Sequence, residues 1–474
     1  MNLEQVKKEI LQNPILSRLS NLAKEKNAPL FLVGGYIRDL FLKTYCPAYR
    51  HTGKDYDFTL PKEAAPFMSE MEETLGFRFF KVGKEAMETV THRIVKKDMS
   101  FDLTFFQGPS IDDDLKRRDF TINAVAFSLR DGTFHWVEGA LEDLENRVIR
   151  AVSWRSIDQD PLRMFRAIRY LCTLDRFLLD EELKKDISTK KIQIVRLPGE
   201  RIKMELDQIF LSPQPDVGMK YLFELSLLLT LLPDLKGLQN LGQSEHHHLD
   251  VLSHTLLMIG KIPWTIGWVA LRGRRIVLMQ EDLLSLSYAA LLHDLGKQDT
   301  YSKDEKRRVH FYHHESFSCR RADAIMERLR FSNPMRHKIL HLIKNHMRIL
   351  NLSRETKGNA LKRLINQIGD ETPLLVLHTL ADKEASRGIL SIQIDEVVEE
   401  NSLRILDLFE EKEIVHPSSL ITGHDVISLG YAPGPKVGQI LDFIRQKQIE
   451  GEIRTREEAL NVLKETFQQN EDNG

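Results

Sequence analysis

Hydrophobic and polar positions fall into two patterns along the chain. Up to about residue 150 the apolar residues come in short runs. The run 29–33 ends in Gly34-Gly35, which predicts a strand, a tight turn and a helix through Leu42. Residues 58–60, 78–82, 89–95 and 101–105 are rich in β-branched and aromatic types and read as strands, with a helix over 62–74 between them. The first eight residues open an amphipathic helix. From Asp160 to about Leu241 the apolar spacing changes to threes and fours, the signature of helices. A second helical stretch, rich in histidine, runs from Glu245 to about Ile392. The last part carries the turn-rich Gly430-Tyr431-Ala432-Pro433-Gly434-Pro435 and then two helices. The expected class is α+β, a small α/β head on an elongated all-helical body. The expected regions are 1–150, 151–244, 245–395 and a C-terminal 396–474.

Composition changes this picture little. A chain of 474 residues is too long for one core and calls for three or four compact units. A net charge of −2 means that any polyanionic partner must be met by local basic patches. Cys46, Cys172 and Cys319 lie far apart and form neither a metal pattern nor a disulfide framework, which suits a reducing cytosol. The N-terminus lacks the apolar core of a signal peptide. The longest apolar run, 221–232, contains Glu224, falls short of the ~20 residues that span a bilayer, and reads as a buried helix. A cytoplasmic protein without a membrane partner is expected. The polar tail from Gln468 to Gly474 reads as frayed.

Chemistry enters with Asp55-Tyr56-Asp57 at the start of a strand. A period of two puts both carboxylates on one face and Tyr56 on the other. Carboxylates so placed can hold two Mg²⁺ ions, which bridge to phosphates and support an in-line displacement. Asp102, on the strand 101–105, is a candidate third ligand. Alone, such a pair is an ordinary surface strand end. Upstream, Gly34 and Gly35 precede a helix with Arg38 and Asp39, where backbone and helix N-terminus can approach a triphosphate. Downstream, Arg117-Arg118-Asp119-Phe120-Thr121-Ile122-Asn123-Ala124 joins a guanidinium fork for phosphate to polar groups suited to a ribose.

In this order, Val33-Gly34-Gly35-Tyr36-Ile37-Arg38-Asp39, the Asp-Tyr-Asp and the Arg-Arg-Asp-Phe-Thr-Ile-Asn-Ala block resemble the head of bacterial tRNA nucleotidyltransferases and poly(A) polymerases. The resemblance implies a polymerase-β-like fold for the head. It implies catalytic Mg²⁺ on Asp55 and Asp57, and nucleotide contacts from Gly34, Gly35, Arg38, Arg118, Asp119 and Asn123. Its partners would be ATP, CTP and a tRNA 3′ end.

The next helix is read over 160–169, with Pro161 in its first turn. Asp160 and Arg163 are neighbours on one face, followed by Arg166 and Arg169. A carboxylate beside a guanidinium can offer an acceptor and donors to a base edge, although a solvated salt-bridged helix has the same spacing. The stretch resembles the family's base-selecting E-D-x-x-R element. That implies Asp160 and Arg163 as selectors and Arg166 and Arg169 as nucleotide ligands. Gln159 stands where the family has Glu, and few residues separate Phe105-Phe106 from Asp112-Asp113-Asp114, where CCA-adding relatives carry a longer loop. Both departures point toward adding only part of the CCA end, or A alone. Glu200-Arg201-Ile202-Lys203-Met204-Glu205 also matches a family helix and reads as structural support. Lys184, Lys185, Lys190 and Lys191 are candidate RNA contacts, equally readable as a solvated helix face.

In the body, His293-Asp294 can ligate one divalent ion while His254 and Asp382 close the site, and His314 and His346 can hold a second. The string Ala290-Leu291-Leu292-His293-Asp294-Leu295-Gly296-Lys297 resembles the HD metal-dependent phosphohydrolase superfamily, with His254, His293, Asp294 and Asp382 in its ligand order. The resemblance implies a divalent metal there (Mg, Mn, Ni or Fe) and hydrolysis of an RNA-end or nucleotide phosphoester if the module is active. His246, His247 and His248 read as solvated. Residues 421–438 resemble the family's C-terminal region, so the likeness covers nearly the whole chain. The expected function is template-independent addition of C, A or both to a tRNA 3′ end. The alternatives are an HD phosphohydrolase, a poly(A) polymerase and a non-enzymatic RNA-binding regulator.

Overall fold

The computed structural model describes residues 3–45, 54–82, 90–96, 99–106, 108–242, 249–386 and 392–468. Cys46, the histidines at 246–248 and the tail beyond 468 lie outside the described residues. Where the sequence suggested four consecutive regions, the contacts divide the chain into two units. One contains 1–197 and 221–231; the other contains 198–220 and 232–474.

The first unit is built on a seven-stranded mixed sheet. Its strands are β1 (Phe31–Val33), β2 (Asp55–Leu60), β3 (Phe80–Val82), β4 (Thr91–Lys96), β5 (Met99–Phe105), β6 (Val125–Ser128) and β7 (Phe134–Trp136). They lie in the order β3-β4-β5-β2-β1-β6-β7. Only β2 and β5 pair in parallel; the other ladders are antiparallel. β1 and β6 are buried at every position, so neither shows the alternation of a half-exposed strand. β6 therefore escaped the sequence reading; the three-residue, partly exposed β7 escaped it for want of length.

The helix expected over 62–74 is a short 3₁₀ turn, Lys62–Ala64, followed by the helix Phe67–Leu75. Pro66, which has no backbone N–H to donate, lies between the two, although Ala65 before it keeps α geometry (φ −51°, ψ −35°). The helix Pro14–Glu25 is capped by Asn13, whose Oδ1 accepts from the N–H of Ile15 and of Leu16 at 3.0 and 3.2 Å. The helix expected over 160–169 begins at Arg163 and runs to Thr173. Asp160 is still extended there (φ −146°, ψ 100°), and its Oδ1 accepts the Leu162 N–H at 3.1 Å. This helix buries Met164, Phe165, Ala167, Ile168, Tyr170, Leu171 and Cys172. Its arginines keep to the remaining stripe.

The apolar run 221–232 is two helices, Pro215–Glu224 and Leu227–Leu231, because Ser226 adopts a left-handed conformation between them. Among the described residues, the regular structure of the second unit is helical apart from the hairpin Tyr301–Lys303/Val309–Phe311. Its C-terminal part packs around Val426, Ile440, Ala459 and Leu463. No helix among the described residues is long and apolar enough to cross a membrane.

Candidate active site

The register of the head sheet sets the first site. Asp57 lies opposite Asp102 on β5 and opposite Val33 on β1, and Asp55 lies opposite Ser100. Tyr56 points to the other face, stacking on Phe101 at 5.1 Å and receiving a hydrogen bond from Asn13 Nδ2 at 3.1 Å. Leaving β1, the chain turns at Gly34 with φ +75°. A Cβ added to Gly34 would come 3.0 Å from Asp57 Oδ2 and 3.6 Å from Arg118 Nη1. Glycine is thus required for both conformation and room.

Burial pushes the Asp57 carboxyl above its ordinary pKa; Arg118 opposes this, while Asp102 and Asp55 add to it. A desolvated carboxylate with acidic neighbours is a group that a divalent cation relieves. Asp55 accepts a hydrogen bond from Ser100 Oγ at 2.6 Å. Asp102 is held by Arg93 on β4 through two hydrogen bonds, 2.7 and 2.5 Å. A cation of the protein already serves the candidate third ligand. The hard oxygen donors of Asp55 and Asp57 fit a divalent ion.

The Arg-Arg-Asp-Phe-Thr-Ile-Asn-Ala block forms the second layer. Asp119 is buried and takes the Arg166 guanidinium on Oδ2 at 2.7 Å, while its Oδ1 accepts from Asn123 Nδ2 at 3.1 Å and from the Phe120 N–H at 2.8 Å. Burial opposes its charge, yet Arg166, Asn123 and the Phe120 N–H hold the carboxyl below its ordinary value. Asn123 Oδ1 in turn accepts from Arg38 Nη1 at 2.9 Å, and Arg38 Nε donates to Asp39 at 2.8 Å. Arg163 donates to Ser156 Oγ at 2.8 Å, to the carbonyls of Arg117 and Arg118 at 2.7 and 3.3 Å, and to Gln159 Oε1 at 3.4 Å. Gln159 thus touches the Arg163 guanidinium through its amide oxygen. Arg169 lies over the Tyr170 ring at 4.5 Å, and Arg38 lies 5.2 Å from that ring. Of the candidate RNA lysines, Lys184 pairs with Glu181 and Lys190 with Asp158.

In the helical unit a second constellation forms. His254 Nε2 meets Asp382 Oδ1 at 3.0 Å, and His293 Nε2 meets Asp294 Oδ2 at 3.1 Å. His314 Nε2 lies 3.4 Å from Asp294 Oδ1 and 3.1 Å from His346 Nε2. Gly296 makes this closeness possible: a Cβ there would fall 2.1 Å from the His314 carbonyl oxygen. Two buried groups have the arrangement of a metal site, His254-His293-Asp294 and Asp294-His314-His346.

Comparison with known proteins agrees with the head geometry. Residues 30–150 match the family model described as Poly A polymerase head domain, and 176–238 match "Probable RNA and SrmB- binding site of polymerase A". Residues 311–463 match a tRNA nucleotidyltransferase domain 2. The A-adding tRNA nucleotidyltransferase of Deinococcus radiodurans is 32% identical over 438 residues, 90% of this chain and 93% of that protein. The chain belongs to the tRNA nucleotidyltransferase and poly(A) polymerase family. The CC-adding tRNA nucleotidyltransferase of Thermus thermophilus is 31% identical over 441 residues, 91% of this chain and 92% of its own. The fold is also that of the Thermotoga maritima CCA-adding enzyme complexed with tRNA, at a TM-score of 0.63 and 21% identity, covering 97% of each chain. The Bacillus stearothermophilus CCA-adding enzyme in complex with CTP gives 0.63 and 20%, covering 98% of this chain and 100% of that one.

Within this member of the family, the structure brings Gly34, Asp57 and Arg118 together, and links Arg38, Asn123, Asp119 and Arg166 in one hydrogen-bonded chain. Several contributors went unnoticed in the sequence, Arg93 and Ser156 among them. Asn13 and Ser100 hold Tyr56 and Asp55, and their signal is purely tertiary. Tyr170, which accepts from Arg166 Nη2 at 3.3 Å, follows it by one helical turn and was legible from that spacing. Fully buried His378 lies one turn before Asp382, and burial pushes its pKa down to about 3.

Proposed function

We propose that this chain is a template-independent nucleotidyltransferase that extends the 3′ end of tRNA with C or A from CTP or ATP, performing one part of CCA synthesis. The placement of Asp55 and Asp57 on one face of β2, with Asp57 beneath Gly34 and beside Arg118, carries this reading. Asp55 and Asp57 would hold Mg²⁺, which when bound neutralises the triphosphate and acidifies the attacking 3′ hydroxyl. The chain's own groups do the remainder. Gly34 and Gly35 let the backbone approach the phosphates. Arg118 offers a guanidinium fork opposite the carboxylates. Asp160 and Arg163 present an acceptor and donors to the base edge, with Arg163 fixed against the Arg117 and Arg118 carbonyls so that base and phosphate sites keep one spacing.

Restriction to one part of the CCA end rests on Gln159, on the short connection after β5, and on the A-adding and CC-adding names of the relatives matched over nine-tenths of the chain. The deciding experiment supplies CTP and ATP separately and together to tRNA transcripts lacking CCA, ending in CC, and to an unrelated RNA. Incorporation at one stage only is expected. A complete CCA end would overturn the restriction, long A tails on unrelated RNA would favour a poly(A) polymerase, and no incorporation anywhere would overturn the function itself.

A further inference from the structure

The proposed phosphate contacts, Gly34 and Arg118, lie on one flank of Asp57: Gly34 follows β1, and Arg118 leads toward β6, the strand beyond it. The other flank is β5-β4-β3, and the ladders place its residues. Asp57 stands opposite Asp102, Asp102 opposite Arg93, and Arg93 opposite Phe80, so the four form one row across the sheet. A second row runs from Asp55 through Ser100 to Val95. Directly opposed residues project to the same side, which puts Phe80 and Val95 on the face that carries the carboxylates. Ile94, Phe101 and Leu103, on the opposite face, are buried. Phe80 and Val95 are not: they are 52% and 55% exposed. At about 4.8 Å per strand, Val95 lies roughly 10 Å from Asp55 and Phe80 roughly 14 Å from Asp57.

Phosphoryl transfer decides what the second flank receives. Attacking and leaving oxygens lie roughly in line through the α-phosphorus. With the triphosphate held on the β1 side, pyrophosphate departs there and the attacking 3′ hydroxyl enters from the β5 side. The sugar and base that carry this hydroxyl, and the nucleotide before them, then come to lie over β4 and β3. We propose that Phe80 and Val95 form a shelf for the unpaired 3′ end of the acceptor RNA, Phe80 stacking on a base and Val95 packing against a ribose. Aromatic side chains serve unpaired bases in this way, and the stack tolerates any base because each has a π face. The Arg93 guanidinium between the two is 40% exposed at its side chain and can meet the phosphate that links the nucleotides. An apolar protein partner would instead have to desolvate the Arg93–Asp102 pair in the middle of the shelf. The shelf rests on the nucleotidyl-transfer reading of the head and adds to it the place of the second substrate.

The test measures single-nucleotide incorporation by the full-length chain on a tRNA transcript at the stage the wild type accepts, with RNA and nucleotide varied in turn. Phe80→Ala should raise KM for the RNA on the order of 10-fold. KM for the nucleotide and kcat should stay within about twofold, as for a contact made equally in ground and transition states. The melting temperature should not move, because a half-exposed side chain on an edge strand packs against little. Phe80→Trp should restore the RNA KM, since stacking asks only for a flat aromatic face. Phe77→Ala is the control: Phe77 is 40% exposed, but it packs on Lys96, which alternates with Val95 and projects to the other face. A p-benzoylphenylalanine placed at position 80 should crosslink to the terminal unpaired nucleotides, and one at position 77 should not. An active wild type whose RNA KM is matched by Phe80→Ala, or equalled in its rise by Phe77→Ala, overturns the shelf alone. A crosslink from position 80 that falls only on the paired stem does the same. A wild type that incorporates nothing overturns the function, and the shelf goes with it.

Discussion

Arg166 reaches from the helix Arg163–Thr173 to the buried carboxylate of Asp119 and closes an ion pair of 2.7 Å. Because Asp119 also accepts from Asn123, and Asn123 from Arg38, the pair joins the helix Arg163–Thr173 to the helix that follows β1. Arg166, expected from sequence as a nucleotide ligand, also ties that helix to the Arg-Arg-Asp block through this pair. Asp119→Ala leaves Arg166 without its counter-charge. Arg166 is about one-third exposed, so the loss is expected at the lower end for a broken buried pair, about 2–3 kcal/mol by urea denaturation at pH 7. The Asp119 carboxyl sits below its unfolded value, so this stability is present above about pH 4 and disappears as acid takes the pH through the folded value. A wild-type urea midpoint for Asp119→Ala at pH 7 would count against the pair.

Asp57 has the opposite electrostatics, and the sign of its effect on stability reverses accordingly. Its carboxyl is raised by burial, with Asp102 and Asp55 adding to the rise, so in metal-free protein the ionised form costs stability above the unfolded pKa. Asp57→Asn should therefore melt higher than wild type in EDTA at pH 8. Incorporation should nevertheless fall at least about 10³-fold, several kcal/mol of transition-state stabilisation having gone with the metal ligand. Magnesium should raise the melting temperature of wild type but not of the variant. A variant that keeps its activity would refute the assignment of the head.

Legibility of the fold and site followed how local each signal was. The period of β2 placed Asp55 and Asp57 on one face without any tertiary knowledge, since alternation alone decides it. The arginine stripe of the neck helix was readable for the same reason, but its start was not. Asp160, counted as helical, spends its carboxylate on the Leu162 N–H and stays extended. β6 was hidden because a fully buried four-residue strand has no polar phase to betray it. Arg93 was unreadable as the partner of Asp102, because their opposition depends on the β4–β5 register. His378 was different: its spacing from Asp382 is one helical turn, and the helix 372–386 made that a same-face pair in advance.

Gly34 offers a test confined to a single atom. Alanine there must adopt φ near +75°, and its methyl would sit 3.0 Å from Asp57 Oδ2. Backbone strain of this kind costs about 1–2 kcal/mol, so Gly34→Ala should still fold, with a modest drop in melting temperature. Incorporation should fall by about 10²-fold, more than that strain accounts for, because the methyl displaces a carboxylate from its working geometry. Gly76→Ala is the control: it is also left-handed (φ +75°), but nothing lies within 4 Å of its added Cβ. It should show the stability loss alone. Equal activity in the two variants would mean that the close approach at Asp57 has no catalytic weight.

Gln159 bears on which nucleotide is chosen. Its Oε1 accepts weakly, at 3.4 Å, from the Arg163 Nη1 that also donates to Ser156 and the Arg118 carbonyl. Glutamate at this position would turn a neutral contact into a charge-assisted one, roughly doubling its strength and drawing the guanidinium toward residue 159. The donors that Arg163 offers to a base would then turn with it. Gln159→Glu is therefore expected to change the ratio of kcat/KM for CTP over ATP by about 5- to 10-fold, equivalent to ~1 kcal/mol of differential binding, with little change in melting temperature. The measurement is single-nucleotide incorporation on a tRNA transcript at the stage the wild type accepts. A ratio unchanged within twofold would show that Arg163 is held by Ser156 and the Arg117 and Arg118 carbonyls alone, and that residue 159 has no part in selection.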